Sequence, residues 1–440
     1  MENDKHFLGQ NGVSYVIPFI LITLCFALWG FATNITSPIV SAFTKIFRLD
    51  PTDGYWIKIA FYTGYLAMAL PAAILIERRS FKSGVLVGLG LYILGTFLFF
   101  PSKISGSYYP FLLSYFVMTC GMSFLQTSCN TYIYVMGSRP TAVQRLNLAQ
   151  AFNPIGSMLG MFIALNYISN RISPLDLAAR RMMSDSQFEM VKNSDLSAVI
   201  RPYLIMGIAI IIFLAIIYFV KMPKNIDTHT SASMGNNFKQ LFGNANYREG
   251  VIAEFFYEGA EIMCWTFIVQ YAVDILTAEG MNSNWANTVA QKYNIIAMAF
   301  FCASRFIFTW LMKFMRPAKL MLIASAVAIV CLIGVIAFHD RNGIYFLILV
   351  SACLSLMFPT IYGTSLYEVG DNIKFGGAGL IMAIFGSVLL PPIQGVIAHI
   401  DGKILGLPAI NVSFIIPILC LVVVAIYSWR AHKRFKDIAN

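Results

Sequence analysis

Twelve stretches of this sequence each carry about twenty predominantly apolar residues, and no water-soluble fold can hide that many. They fall at roughly 15–43, 54–77, 83–101, 108–136, 146–170, 199–220, 250–276, 288–312, 319–338, 343–367, 376–399 and 410–429. A helix needs ~20 residues to cross the hydrocarbon core, so each stretch predicts one membrane span, the longer ones tilted or projecting from the bilayer. Composition agrees: 12% of residues are charged, against ~25% for an average soluble domain. Residues 1–13 are polar, and the run behind them is too long for a signal-peptide core and lacks a cleavage motif.

Two polar segments interrupt the runs. Residues 171–198 mix charges (Arg180, Arg181, Asp185, Glu189, Lys192), and 221–248 hold Lys221, Lys224, Lys239 and Arg248. The second divides the chain six spans against six. The expected architecture is all-α integral membrane: a twelve-helix major facilitator fold of two six-helix halves, residues 1–220 and 249–440, joined by a cytoplasmic central loop, 221–248.

The net charge of +10 raises the possibility of nucleic acid. Lys and Arg, however, gather at the ends of apolar runs, which fits the positive-inside rule. With the N-terminus inside, 18 of them fall on cytoplasmic segments and 11 on outer ones, five of these in or beside 171–201. Both termini are therefore expected in the cytoplasm, and a bilayer rather than nucleic acid as partner. The eight cysteines sit inside apolar runs without CxxC spacing and read as small buried hydrophobes, with no metal site.

Polar groups at membrane depth are costly and mark function or helix pairing. Span seven carries Glu254, Glu258, Glu261 and Trp265 on one helical stripe about 60° wide. Glu261 lies about 11 residues, or ~17 Å, into the span, near the midplane. Glu258 and Glu261 are the proton-coupling candidates, and Glu261 and Trp265 also sugar-binding candidates, an indole being able to stack on a sugar ring. The competing reading keeps these acids neutral or paired as helix braces, and for Glu254, nearer the membrane surface, bracing is the favoured role.

Span one contains Asn34, Ser37 and Pro38, where an amide and freed carbonyls suit hydroxyls. Span four offers Gln126 and Asn130 on one face, span five Gln150 and Asn153 on one face. Four amides supply both donors and acceptors, which suits a neutral polyol. Tyr362 follows Pro359 in span ten and is a further cavity-lining candidate, while Arg305 in span eight reads as gating or structural. An interhelical amide network is the competing reading. No histidine pair or nucleophile–base cluster suggests an enzyme, no GxxxxGK[ST] run suggests ATP-driven transport, and no cofactor is implied.

Several of these stretches match a known pattern: LWGFATNI (28–35), AFYTGYLAMALPAAILIERRSFKSGVLVGLGLYILG (60–95), GMSFLQTSCN (121–130), RLNLAQAFNPIG (145–156), CWTFIVQYAV (264–273) and FPTIY (358–362). In that order the chain resembles the fucose–proton symporter family of the major facilitator superfamily. The resemblance implies alternating access, uptake of a monosaccharide (a hexose, deoxyhexose or N-acetylhexosamine) with a proton or sodium ion, a monomer and a bacterial inner membrane. It also implies an aspartate in span one and a glutamate in span four. The aligned positions are Ser37 and Gln126. Coupling has three readings at this stage: relocation to Glu258 and Glu261, sodium coupling, or uncoupled facilitation. A non-transporting sugar sensor is the remaining alternative.

Overall fold

The computed structural model describes residues 7–10, 13–169, 171–222, 234–400 and 402–435. Among them, twelve helices are long and apolar enough to cross a membrane: Val16–Asn34, Ile59–Arg78, Phe81–Ser105, Tyr108–Val135, Arg139–Ile168, Asp185–Phe219, Ala245–Ala278, Ser283–Leu311, Pro317–Ala337, Arg341–Ser365, Gly370–Ala398 and Ala409–Arg434. These are spans one to twelve, as the apolar runs predict. Packing divides the chain into two compact units. The first comprises Tyr15–Tyr132 and Ile155–His229, the second Met1–Ser14, Ile133–Pro154 and Thr230–Asn440.

Span ends follow from local chemistry. Span three opens where the Ser80 hydroxyl accepts the Ser83 amide at 3.1 Å, and it stops at Gly106, whose φ of 59° suits a residue without a Cβ. Span seven opens on Asn244, whose side chain accepts the Tyr247 amide at 3.1 Å. Span six begins at Asp185, fourteen residues before its apolar run. The cause is a buried ion pair. Arg180 donates to Asp195 at 2.6 Å, with both side chains at most 1% exposed, and Asp195 also accepts the Ser173 amide at 2.8 Å. A charged helical turn can be packed inside protein when its charges are mutually satisfied.

In the first unit, Gly156 and Gly160 of span five bring that helix against span one. A Cβ on Gly156 would collide with the Ala27 carbonyl, and one on Gly160 with the Phe31 carbonyl. Small residues four apart are the usual means of such close approach in membranes. By contrast, a Cβ on Gly90 of span three would meet nothing within 4 Å. Gly156→Val should therefore lower the midpoint of thermal unfolding in detergent, by an amount equivalent to ~1–3 kcal/mol. Gly90→Ala should hold or slightly raise it.

In the second unit, Arg145 is fully buried. Its guanidinium donates to the carbonyls of Ile133 at 2.8 Å, Tyr134 at 2.7 Å and Ser138 at 3.3 Å, and to the Thr141 hydroxyl at 3.0 Å. It thereby satisfies carbonyls that the end of span four leaves without helical donors. Span seven is the centre of this unit. Gly259 leaves room for Leu390, and Gly386 of span eleven comes up against the Phe255 carbonyl.

Candidate functional site

Span ten is broken, with helix at Arg341–Leu354 and again at Met357–Ser365. Pro359 has no N–H, so the Ser355 carbonyl four residues earlier has no helical donor. Span five breaks in the same way: helix runs Ala142–Gln150 and resumes at Phe152–Ile163, and Pro154 leaves the Gln150 carbonyl without one. Arg305 of span eight, 3% exposed, meets both needs. Its Nε donates to the Ser355 carbonyl, and Nη1 donates to the Gln150 carbonyl at 3.1 Å. The guanidinium also lies over the Phe301 ring, 4.7 Å from its centroid. This arginine does not reach toward headgroups; like Arg145, it is a buried cation of the second unit.

The acids of span seven differ in their surroundings. Glu258, 8% exposed, accepts the Ser387 hydroxyl at 2.9 Å. Glu261 is half-buried. The Tyr257 hydroxyl lies between the Leu354 carbonyl, 3.2 Å away, and the Glu261 carboxyl. Arg305 acts electrostatically on Glu258, Glu261 and Tyr257. Glu254 is fully buried, and among the described residues neither carboxyl oxygen has a hydrogen-bond partner. The structure thus brings together Glu258, Glu261 and Arg305, with Tyr257 and Ser387, which sequence reasoning did not single out.

Other candidates of this unit take separate places. Trp265 is half-buried, stacked edge-on against Phe301 at 5.0 Å, its indole N–H without an acceptor among the described residues. Gln150 is buried and Asn153 half-buried at the span-five break. Asn147, one turn earlier, donates to the Thr360 hydroxyl at 3.2 Å. Tyr362 is fully buried, stacked near Phe358 with ring centroids 6.1 Å apart.

The first unit holds the remaining amides. Gln126 and Asn130 are buried, and the Asn130 amide donates to the Gln126 carbonyl oxygen at a long 3.4 Å. The Gln126 amide nitrogen is buried with no acceptor among the described residues. A donor left over in this way is what a sugar hydroxyl would satisfy. Asn34 is half-buried in span one, and the side chain of Ser37 lies outside the described residues. Trp29 and Tyr65, which the sequence does not single out, form a further polar pair in this unit. The Trp29 indole donates to the Tyr65 hydroxyl at 2.6 Å, and the Ser123 hydroxyl donates to the Tyr65 carbonyl at 3.2 Å. Both lie in stretches quoted above for their likeness, so the signal was an aromatic–hydroxyl pair at membrane depth, visible only once spans one and two are packed. Among the described residues, no group of three or more His, Cys, Asp or Glu is placed to hold a metal ion.

The family model of the Major Facilitator Superfamily matches residues 22–389. The L-fucose-proton symporter of Haemophilus influenzae is 42% identical over 430 residues, covering 96% of this chain and 98% of the relative. That of Escherichia coli is 31% identical over 425 residues, 96% and 94%. A glucose/galactose transporter of Brucella abortus is 28% identical over 432 residues, 98% of each. The crystal structure of the Major Facilitator Superfamily transporter FucP in the outward conformation superposes with a TM-score of 0.85 at 29% identity, covering 95% of this chain and 99% of that one. The relatives are transporters, not enzymes, as the sequence leads one to expect. Twelve spans, a family model over residues 22–389 and near-full-length likeness at 42% identity lead to one conclusion: this chain belongs to the fucose–proton symporter family of the Major Facilitator Superfamily.

Proposed function

We propose that this protein imports a neutral monosaccharide together with a proton by alternating access. The observation that carries the reading is the 42% identity to an L-fucose-proton symporter along nearly the whole of both chains. The glucose/galactose relatives widen the substrate class to hexoses and 6-deoxyhexoses. The protein sits in a bacterial inner membrane as a monomer, with both termini cytoplasmic as the Lys and Arg bias directs. Residues 1–220 and 249–440 are the two moving halves, and 221–248 the tether between them.

The sugar-binding residues of this reading are Asn34, Ser37, Gln126 and Asn130 in the first unit and Gln150, Asn153, Glu261, Trp265 and Tyr362 in the second. What supports this is the pairing of donors and acceptors on amides, and the Gln126 amide left without an acceptor. The coupling proton is carried by the buried Glu258 and the half-buried Glu261, the carboxyls within electrostatic reach of the Arg305 guanidinium. Family coupling acids at the Ser37 and Gln126 positions are absent here, and span seven supplies titratable groups in their place.

Purified protein in proteoliposomes, offered a panel of labelled monosaccharides, tests the proposal. An acidic exterior should drive accumulation of L-fucose, D-glucose or D-galactose, and the rate should rise as external pH falls, because the carboxyl must be protonated from outside. A sodium gradient at equal pH should drive none. Equilibration without accumulation under every gradient would replace symport by facilitated diffusion, and binding without flux would indicate a sensor.

A further inference from the structure

Glu254 is the one acid of the span-seven stripe that makes no hydrogen bond among the described residues, although it is fully buried. A carboxyl that braces helices does so through hydrogen bonds, and an unpaired one is a cost that an apolar side chain avoids. Bracing therefore does not account for it. Its neighbours do. Glu258 lies one turn away, ~6 Å along the axis toward the middle of the span, and both Glu258 and Glu261 act on it electrostatically.

From another element, Tyr427 of span twelve is the titratable group that senses Glu254. The Tyr427 hydroxyl is hydrogen-bonded to Thr364 at 3.0 Å and Ser365 at 2.9 Å, all three buried. Gly250, one turn from Glu254 toward Asn244, is where this hydroxyl cluster meets span seven: a Cβ there would collide with the Ser365 hydroxyl and lie 3.3 Å from that of Tyr427. Beyond it, Glu249 is ion-paired with Arg430 at 2.9 Å and Arg434 at 3.0 Å, at 22% exposure of its side chain. The sequence of groups runs from midplane acids through an unpaired carboxyl and three hydroxyls to a wetted ion-pair cluster.

We propose that Glu254 is a third proton-binding carboxyl of span seven, relaying the coupling proton between Glu258 and the Tyr427–Thr364–Ser365 hydroxyls at the Asn244 end of the helix. In each step the O–H bond on Glu258 breaks, its electron pair stays on that carboxylate, and a new O–H bond forms on Glu254. The proton then leaves Glu254 along the hydroxyls, each accepting one proton and giving up another, the last of them to solvent water at the partly exposed Glu249 end, so no net charge accumulates on them. The proposal rests on the reading that Glu258 and Glu261 carry the coupling proton.

Glu254→Gln in the full-length protein, reconstituted in vesicles, tests it. Sugar-evoked alkalinisation of the medium should fall tenfold or more, and the ratio of proton-driven accumulation to sugar exchange should fall by a similar factor. Values of both within twofold of the wild type overturn the relay. The Glu258→Gln/Glu261→Gln protein, run beside it, separates the two levels: if it stays coupled, the reading beneath is wrong, whereas if it uncouples and Glu254→Gln does not, the relay alone is wrong. Should Glu254→Gln fail to fold, Tyr427→Phe decides, since it keeps the ring and removes the hydroxyl. A threefold or greater slowing of proton-driven uptake with an enlarged solvent deuterium isotope effect supports the relay, and an unchanged rate and isotope effect overturn it.

Discussion

Replacing both Glu258 and Glu261 by glutamine is expected to abolish accumulation of sugar while exchange of labelled for unlabelled sugar persists. The magnitude follows from the driving force. One charge crossing 100 mV is worth about 2.3 kcal/mol, which supports roughly fifty-fold accumulation at tenfold per 1.4 kcal/mol. If these carboxyls carry the proton, the variant reaches only equal concentrations on both sides. Glutamine keeps the shape and a hydrogen-bond acceptor for Ser387, now 2.9 Å from Glu258, so packing is not the variable. The pH profile carries the second readout: uptake by the wild type should rise as the exterior is acidified, and by the variant it should be flat. Accumulation unchanged in the variant would falsify span seven as the coupling element.

The two acids stand out in the sequence because a charge inside an apolar run needs no structure to be noticed. The same logic made the twelve spans legible. What composition misplaces are their ends. Residues 185–198 read as part of a mixed-charge loop, yet they are helical, because Arg180 folds back to neutralise Asp195 and removes the charge that seemed to forbid packing. Trp29 and Tyr65 do not stand out in the sequence for a related reason. Each alone is an ordinary aromatic, and only the 2.6 Å bond between spans one and two makes them a polar group. Arg305 reads in the sequence as gating or structural, with no partner visible. Its role depends on prolines about 150 residues behind it and about 50 ahead, a relation that no window along the chain contains.

That relation yields the second large effect. Arg305→Gln is expected to lower the thermal midpoint and to impair both accumulation and exchange. Pro154 and Pro359 each deprive a carbonyl of its donor, and the guanidinium serves both from one planar fork, at Gln150 and Ser355. Each buried carbonyl left unpaired costs about 1–3 kcal/mol, so the loss should reach about 2–6 kcal/mol, beyond that of an ordinary substitution. Arg305→Lys retains the charge beside Glu258 and Glu261 but places a single nitrogen where two are needed, and should fall between. The origin of the effect can be separated from charge. Pro154→Ala and Pro359→Ala return the missing N–H groups, so the two carbonyls no longer depend on the arginine. In that background Arg305→Gln should cost markedly less than in the wild type, a coupling that a double-mutant cycle measures directly. If the cost is the same in both backgrounds, the arginine serves the acids alone and the proline-freed carbonyls are incidental to it.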